Sequence, residues 1–158
     1  MSSAAEPALA RIPPPFFLIR LTAVAALVPF IMRRGLPWLQ RWTEPKRSVS
    51  VSDDRADVLV GQYGRWVDAV IRRGQPVVRR GCLTHGVTLY YGLRRRGIDV
   101  SLVFGIGPVN GAMEGHCWIE LDGQPVLEPA DPRAAFTEVT RISRFGVTGG
   151  ALPVGLRA

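Results

Sequence analysis

The sequence predicts an α+β fold in which N-terminal helices, the last of them opening on Cys82, pack on a small antiparallel sheet. Three observations carry that expectation. Residues 53–73 and 82–96 repeat apolar side chains at three-to-four spacing, the period of a helix with one buried face. Residues 100–106, 116–121 and 124–128 are short β-prone runs punctuated by Asn110-Gly111 and Asp122-Gly123. The helical signals also precede all the strand signals, which suits segregated helices and antiparallel strands rather than alternating βαβ units. At 158 residues and 47% hydrophobic composition the chain is long enough for one core. The expected organisation is a flexible N-terminus, 1–15, a hydrophobic and basic helical extension, 16–50, and a main domain, 51–158.

Residues 1–15 are small, polar and proline-rich, ending in Pro13-Pro14-Pro15. Phe16 to Met32 follows, apolar except for Arg20 and Thr22. It sits at the lower edge of bilayer-spanning length and contains both a charge and Pro29, so a buried or interfacial helix is favoured over a span. If it spanned, Arg33, Arg34, Arg41, Lys46 and Arg47 would hold the rest of the chain in the cytoplasm. Residues 44–52 read as a linker ending in a Ser52 helix cap, with Asp53 and Asp54 suiting the first turn's dipole. In 53–73, Val58, Val60, Trp66, Val67, Val70 and Ile71 lie largely along one side, and Arg72-Arg73-Gly74 marks the end. In 82–96, Leu83, Val87, Tyr90 and Leu93 or Arg94 share a face, and Gly97 is placed as a left-handed stop. The strands 100–106, 116–121 and 124–128 come next, with Asn110-Gly111 inside a longer connection. After Pro132 the signals thin out.

The formal charge of +7 gathers in arginine clusters at 33–34, 72–73, 79–80 and 94–96. Such a surface suits an acidic partner, but no RNP-type motif, zinc knuckle or recognition helix accompanies it, so no nucleic acid is expected. Two cysteines, without an evident N-terminal signal peptide, point to a reducing cytoplasm and free thiols. Cys82, His85, His116 and Cys117 have the ligand types for zinc. Neighbours His116 and Cys117 would point to opposite faces of a strand, however, so no metal or other cofactor is expected.

The chemistry centres on Cys82. At a helix start, unpaired N–H groups and the positive end of the dipole favour thiolate, and Arg79 and Arg80 push the same way. The Cys82 N–H is a candidate oxyanion donor. Cysteines at helix starts also occur in inert proteins; the downstream Gly-His-Cys-Trp-Ile-Glu run, residues 115–120, is what shifts the reading toward catalysis. Alternation puts His116, Trp118 and Glu120 on one strand face and Cys117, Ile119 and Leu121 on the other, which assigns Cys117 to packing. His116 is the expected base. His85, three residues after Cys82 on the same helix, is the rival, with a restricted approach to the sulfur. A base histidine benefits from an acceptor that fixes its tautomer. A two-residue Asp122-Gly123 turn would put Glu128 on the wrong face. A three-residue loop, Leu121-Asp122-Gly123, pairs Glu120 with Gln124 and His116 with Glu128, and that register is expected. Asp131 is the alternative acid.

Cys82-Leu83-Thr84, the helix end Leu93 to Val100, and Gly115 to Val126 together resemble the transglutaminase-like leader peptidases of lasso-peptide biosynthesis, the B2 type. The likeness covers about residues 80–130. It implies a transglutaminase-like, papain-related cysteine-protease fold for 51–158 and a Cys-His-acid triad carried by Cys82, His116 and, in place of the family's aspartate, Glu128. It also implies cleavage of a leader from a ribosomally made precursor peptide. The expected partners are that precursor, a small B1-type leader-recognition protein and an ATP-dependent cyclase. Cys117 stands where alanine is common, and Thr84-His85 where Pro-Arg is usual. Two other functions compete: an acyltransferase or amidase using the same site, and a non-catalytic adaptor that meets a membrane surface through Phe16 to Met32.

Overall fold

A computed structural model describes residues 14–45 and 53–150. The Ser52 cap and most of the 1–15 lead-in fall outside the described residues. Four helices, α1 (Pro15–Arg33), α2 (Leu36–Thr43), α3 (Asp53–Arg73) and α4 (Cys82–Arg95), precede five strands, β1 (Val100–Val109), β2 (Ala112–Leu121), β3 (Gln124–Val126), β4 (Thr137–Ser143) and β5 (Gly146–Gly149). The strands form one sheet in the order β3-β2-β1-β4-β5, with every neighbour antiparallel. This is the expected α+β architecture, with a larger sheet.

Helix α4 is central. Every residue from Leu83 to Arg94 except His85 is buried, as expected of a helix enclosed on all sides rather than one laid on a surface. Glycines admit its neighbours. A Cβ at Gly92 would lie 2.8 Å from the Tyr63 ring of α3, and one at Gly86 would lie 2.9 Å from the Cys117 sulfur of β2. The helix ends as its sequence predicts. Gly97 is left-handed (φ 82°), its N–H bonds to Arg94 O, and the Ile98 N–H reaches back to Leu93 O, a Schellman closure. Arg94, buried in the last turn, pairs with Asp99 at 2.8 Å.

Helix α1 contributes Leu21, Val24, Ala25, Val28 and Ile31 to the same core, while Phe16, Ile19, Leu27 and Phe30 remain exposed. Only 28% of its apolar stretch is buried. In α3, Val60, Val67, Val70 and Ile71 are buried and Trp66 packs against them, but Val58 is 61% exposed. Its position lies off the buried stripe.

Three sheet expectations need correction. Asn110-Gly111 is a tight two-residue turn rather than part of a longer connection. Val109 pairs with Ala112, and both turn residues have positive φ (51° and 82°), which matches the twist of the flanking strands. This extends β2 back to Ala112. The β2–β3 turn also has two residues: Leu121 pairs with Gln124 and Ile119 with Val126, not Glu120 with Gln124. Asp122 and Gly123 both take positive φ, so the three-residue register is wrong and β3 stops at Val126. Finally, β4 and β5 add two strands where the sequence signals faded. In β4 only Thr140 and Ile142 are buried, too sparse an apolar pattern to announce a strand.

Candidate active site

Gly81 caps the start of α4 and offers no side chain to the first turn. The helix N-terminus is thereby left to act on Cys82, its first residue. Cys82 is partly exposed. Strand β2 supplies the partners, His116 and Cys117, the latter with its Sγ 3.0 Å from the Cys82 carbonyl. Polar interaction with Cys117 foremost, and with His116, outweighs the burial that favours a neutral thiol and draws the Cys82 pKa down to about 4. His116 moves the other way, up to about 9. The Cys82 sulfur contributes most and Glu128 next, against burial. Between those values the pair is a thiolate beside an imidazolium, and the two titrations belong to the pair jointly.

The second ring nitrogen is also committed. His116 Nε2 donates to Glu128 Oε2 at 3.2 Å, with the two side chains 25% and 22% exposed. The contact forms although the β2–β3 register puts Glu128 out of phase, because Leu127, just past β3, is left-handed (φ 62°) and breaks the strand alternation. Asp131, the alternative acid, is exposed and held by Arg133 at 2.7 Å. His85 stands near Asp68 of α3, at 3.2 Å.

Cys117 does more than pack. It is 3% exposed on the core face beneath α4, as alternation predicts, yet its Sγ donates to the Cys82 carbonyl at 3.0 Å. Neighbouring strand faces diverge, but a helix start lying over the strand can meet both side chains.

Other residues that shape the site escaped sequence reasoning. The His116 ring lies between Trp118 (centroids 6.1 Å apart, 21° between planes) and Phe136 (5.0 Å). Trp118 Nε1 donates to Glu120 Oε1 at 3.0 Å, and the other oxygen of this almost wholly buried carboxylate pairs with Arg141 of β4 at 2.7 Å. Alternation grouped His116, Trp118 and Glu120. It could not show that their face is covered, because the cover comes from β4 and from Phe136 just before it, where sequence signals were weak. Among the described residues no group of three or more His, Cys, Asp or Glu side chains is placed to hold a metal ion.

A helix N-terminus bearing a thiol beside a histidine on an antiparallel sheet, with a carboxylate at the imidazole, is the arrangement that nucleophilic thiol chemistry requires. A profile of the transglutaminase-like superfamily matches residues 24–141, about three quarters of the chain, and the chain belongs to that superfamily. The superfamily includes cysteine proteases and acyltransferases. No curated protein and no solved structure matches the chain.

Proposed function

We propose that this chain is a cysteine peptidase that removes the leader from a ribosomally synthesised precursor peptide, with Cys82 as nucleophile, His116 as acid and base, and Glu128 orienting the imidazole. The observation that carries this reading is the grouping of Cys82, His116 and Glu128 at the start of α4, with Glu128 bonded to the imidazole at 3.2 Å and the thiol and imidazole drawn toward thiolate and imidazolium by each other. The Cys82 thiolate adds to the scissile carbonyl, and oxygen charge develops beside the first-turn N–H groups of α4. The imidazolium then protonates the departing amine, and the neutral imidazole it leaves takes a proton from water for deacylation. The motif likeness over residues 80–130 supports a lasso-type precursor. It also supports a separate leader-recognition chain and an ATP-dependent cyclase that uses the released amine.

The test uses a lasso-type precursor peptide, a leader-recognition protein and mass spectrometry. Wild type is expected to release leader with a free carboxylate, and Cys82→Ala to keep its fold and release none. Retained cleavage by Cys82→Ala overturns the assignment. A leader that leaves as an amide of an added amine would instead indicate the acyltransferase reading.

The face of α1 that is exposed among the described residues supports contact with an anionic membrane surface. Phe16, Ile19, Leu27 and Phe30 are each at least half exposed along one flank. Arg20 and Arg33 lie over the Phe16 and Phe30 rings, each 5.7 Å from the centroid. Apolar rings edged by guanidinium groups, in a chain of charge +7, complement anionic lipid. Sedimentation with phosphatidylglycerol vesicles, but not phosphatidylcholine vesicles, is the expected result, lost in Phe16→Ser/Phe30→Ser. Failure to sediment with either vesicle overturns it.

A further inference from the structure

Cys117 is a second sulfur nucleophile beside the first, its Sγ bonded to the Cys82 carbonyl, and the peptidase chemistry gives it no bond to make or break. It is buried, whereas Cys82 is partly open to solvent. Its Sγ already touches the Cys82 backbone at 3.0 Å, and glycine at position 86, one turn along α4, leaves the space that the sulfur occupies. An accessible thiol backed by a buried one has the layout of an oxidisable pair with a resolving partner.

We infer that Cys82 and Cys117 form a peroxide-reactive dithiol, in which a hydroperoxide converts the nucleophile into an internal disulfide and dithiol reductants restore it. The inference rests on Cys82 being the activated thiol of the proposed function, but its chemistry needs no peptide substrate. The Cys82 thiolate attacks the terminal peroxide oxygen. The O–O bond breaks, the departing alkoxide or hydroxide takes a proton, and Cys82 becomes a sulfenic acid. Cys117 sulfur then attacks the Cys82 sulfur and displaces hydroxide, which leaves as water with the Cys117 proton. Two thiols and one hydroperoxide give one disulfide, one alcohol or water, and one further water.

The order of the steps is built into the pair. Interaction with the Cys82 thiolate, and then burial, hold the Cys117 thiol well above the ordinary range, so Cys117 stays protonated while Cys82 is the anion. Conversion of Cys82 to a neutral sulfenic acid removes the negative charge that suppresses ionisation of Cys117. Oxidation of the exposed sulfur thus eases ionisation of the buried one, with burial still opposing it. Capture as a disulfide also competes with further oxidation to sulfinic acid, which dithiols do not reverse.

The experiment treats the full-length chain with hydrogen peroxide and follows intact mass, peptide mapping and iodoacetamide labelling after denaturation. Wild type should lose two hydrogens, yield a Cys82–Cys117 linked peptide and become resistant to alkylation. Dithiothreitol should restore both thiols. In Cys117→Ala, or in Cys117→Ser if the alanine variant folds poorly, Cys82 should instead gain two oxygens irreversibly. A wild-type protein that accumulates sulfinic acid at Cys82 with Cys117 still alkylable, or links only between molecules, overturns the inference. Disulfide formation without precursor cleavage would overturn the peptidase reading alone; cleavage without disulfide formation would overturn only the dithiol.

Discussion

Glu128→Gln separates what the carboxylate does by charge from what it does by position. Glutamine keeps the shape and an acceptor oxygen but removes the negative charge, 3.2 Å from His116 Nε2. At an effective dielectric between about 20 and 80, that distance corresponds to an attraction of about 1–5 kcal/mol. About a quarter of each side chain is open to solvent, which favours the lower end, about 1.4–2 kcal/mol, or about one to one and a half pH units on the imidazole. The Cys82 sulfur, the larger cause of the elevation, stays in place, so the imidazole should fall part of the way from about 9 toward 6.5. Activity requires thiolate and imidazolium together. It should therefore decline below about 4, as Cys82 takes up a proton, and above about 9, as His116 loses one. In Glu128→Gln the acid limb should hold and the alkaline limb should move down. At about pH 8.5 the imidazolium fraction then drops about three- to eightfold, and at about pH 6 it is nearly unchanged. Precursor cleavage across the pH range, with titration of the labelled histidine ring, checks both limbs. A loss that is equal at every pH, with the alkaline limb in place, would refute the electrostatic role.

Other perturbations test the surrounding structure. Cys117→Ala removes the largest influence lowering the Cys82 pKa, and its loss should raise the acid limb by about one to two pH units, read from the pH dependence of Cys82 alkylation by iodoacetamide. Arg141→Met strands the buried Glu120 carboxylate and should cost about 3 kcal/mol in denaturant unfolding, with Glu120→Gln/Arg141→Met recovering most of it. No recovery would mean that Arg141 acts through packing. His85→Gln should leave the pH profile of cleavage intact, since His85 lies against Asp68 while His116 carries the sulfur contact. Disappearance of the alkaline limb in His85→Gln would move the base to that residue.

What the sequence showed of the fold was local chemistry repeated often enough to be unambiguous. Helix α4 announced itself through its apolar spacing, and its end through Gly97, because a left-handed stop favours a residue without Cβ. The burial of α4 on every side was not legible, since it depends on α1 and α3 closing over one flank and the sheet over the other. Strand β2 was half seen. Its alternation located His116 and the core face, while its first residues, exposed from Ala112 to Glu114, carry no apolar signal. Strands β4 and β5 are held by pairing with β1 and with each other more than by buried side chains, and pairing leaves little trace in composition.

The placement of Glu128 shows how an expected contact with His116 can arise despite an incorrect register. Period-two alternation across the observed two-residue turn sends position 128 away from the imidazole. Leu127 reverses that by adopting φ 62°, a conformation that costs a residue with a branched side chain roughly 1–2 kcal/mol and that no sequence rule assigns to leucine. The compensation lies in a different element. A Cβ at Gly64 of α3 would come within 2.6 Å of Leu127 Cδ1, so the bare patch at Gly64 is what Leu127 fills. The carboxylate's position is therefore set by three parts of the chain at once: the hairpin turn, the left-handed leucine and a glycine on a helix some sixty residues earlier. A hairpin considered alone contains only the first of these. The geometry behind His116 belongs to the packed domain, whereas the residue types that occupy it, thiol, imidazole and carboxylate, are written in the sequence.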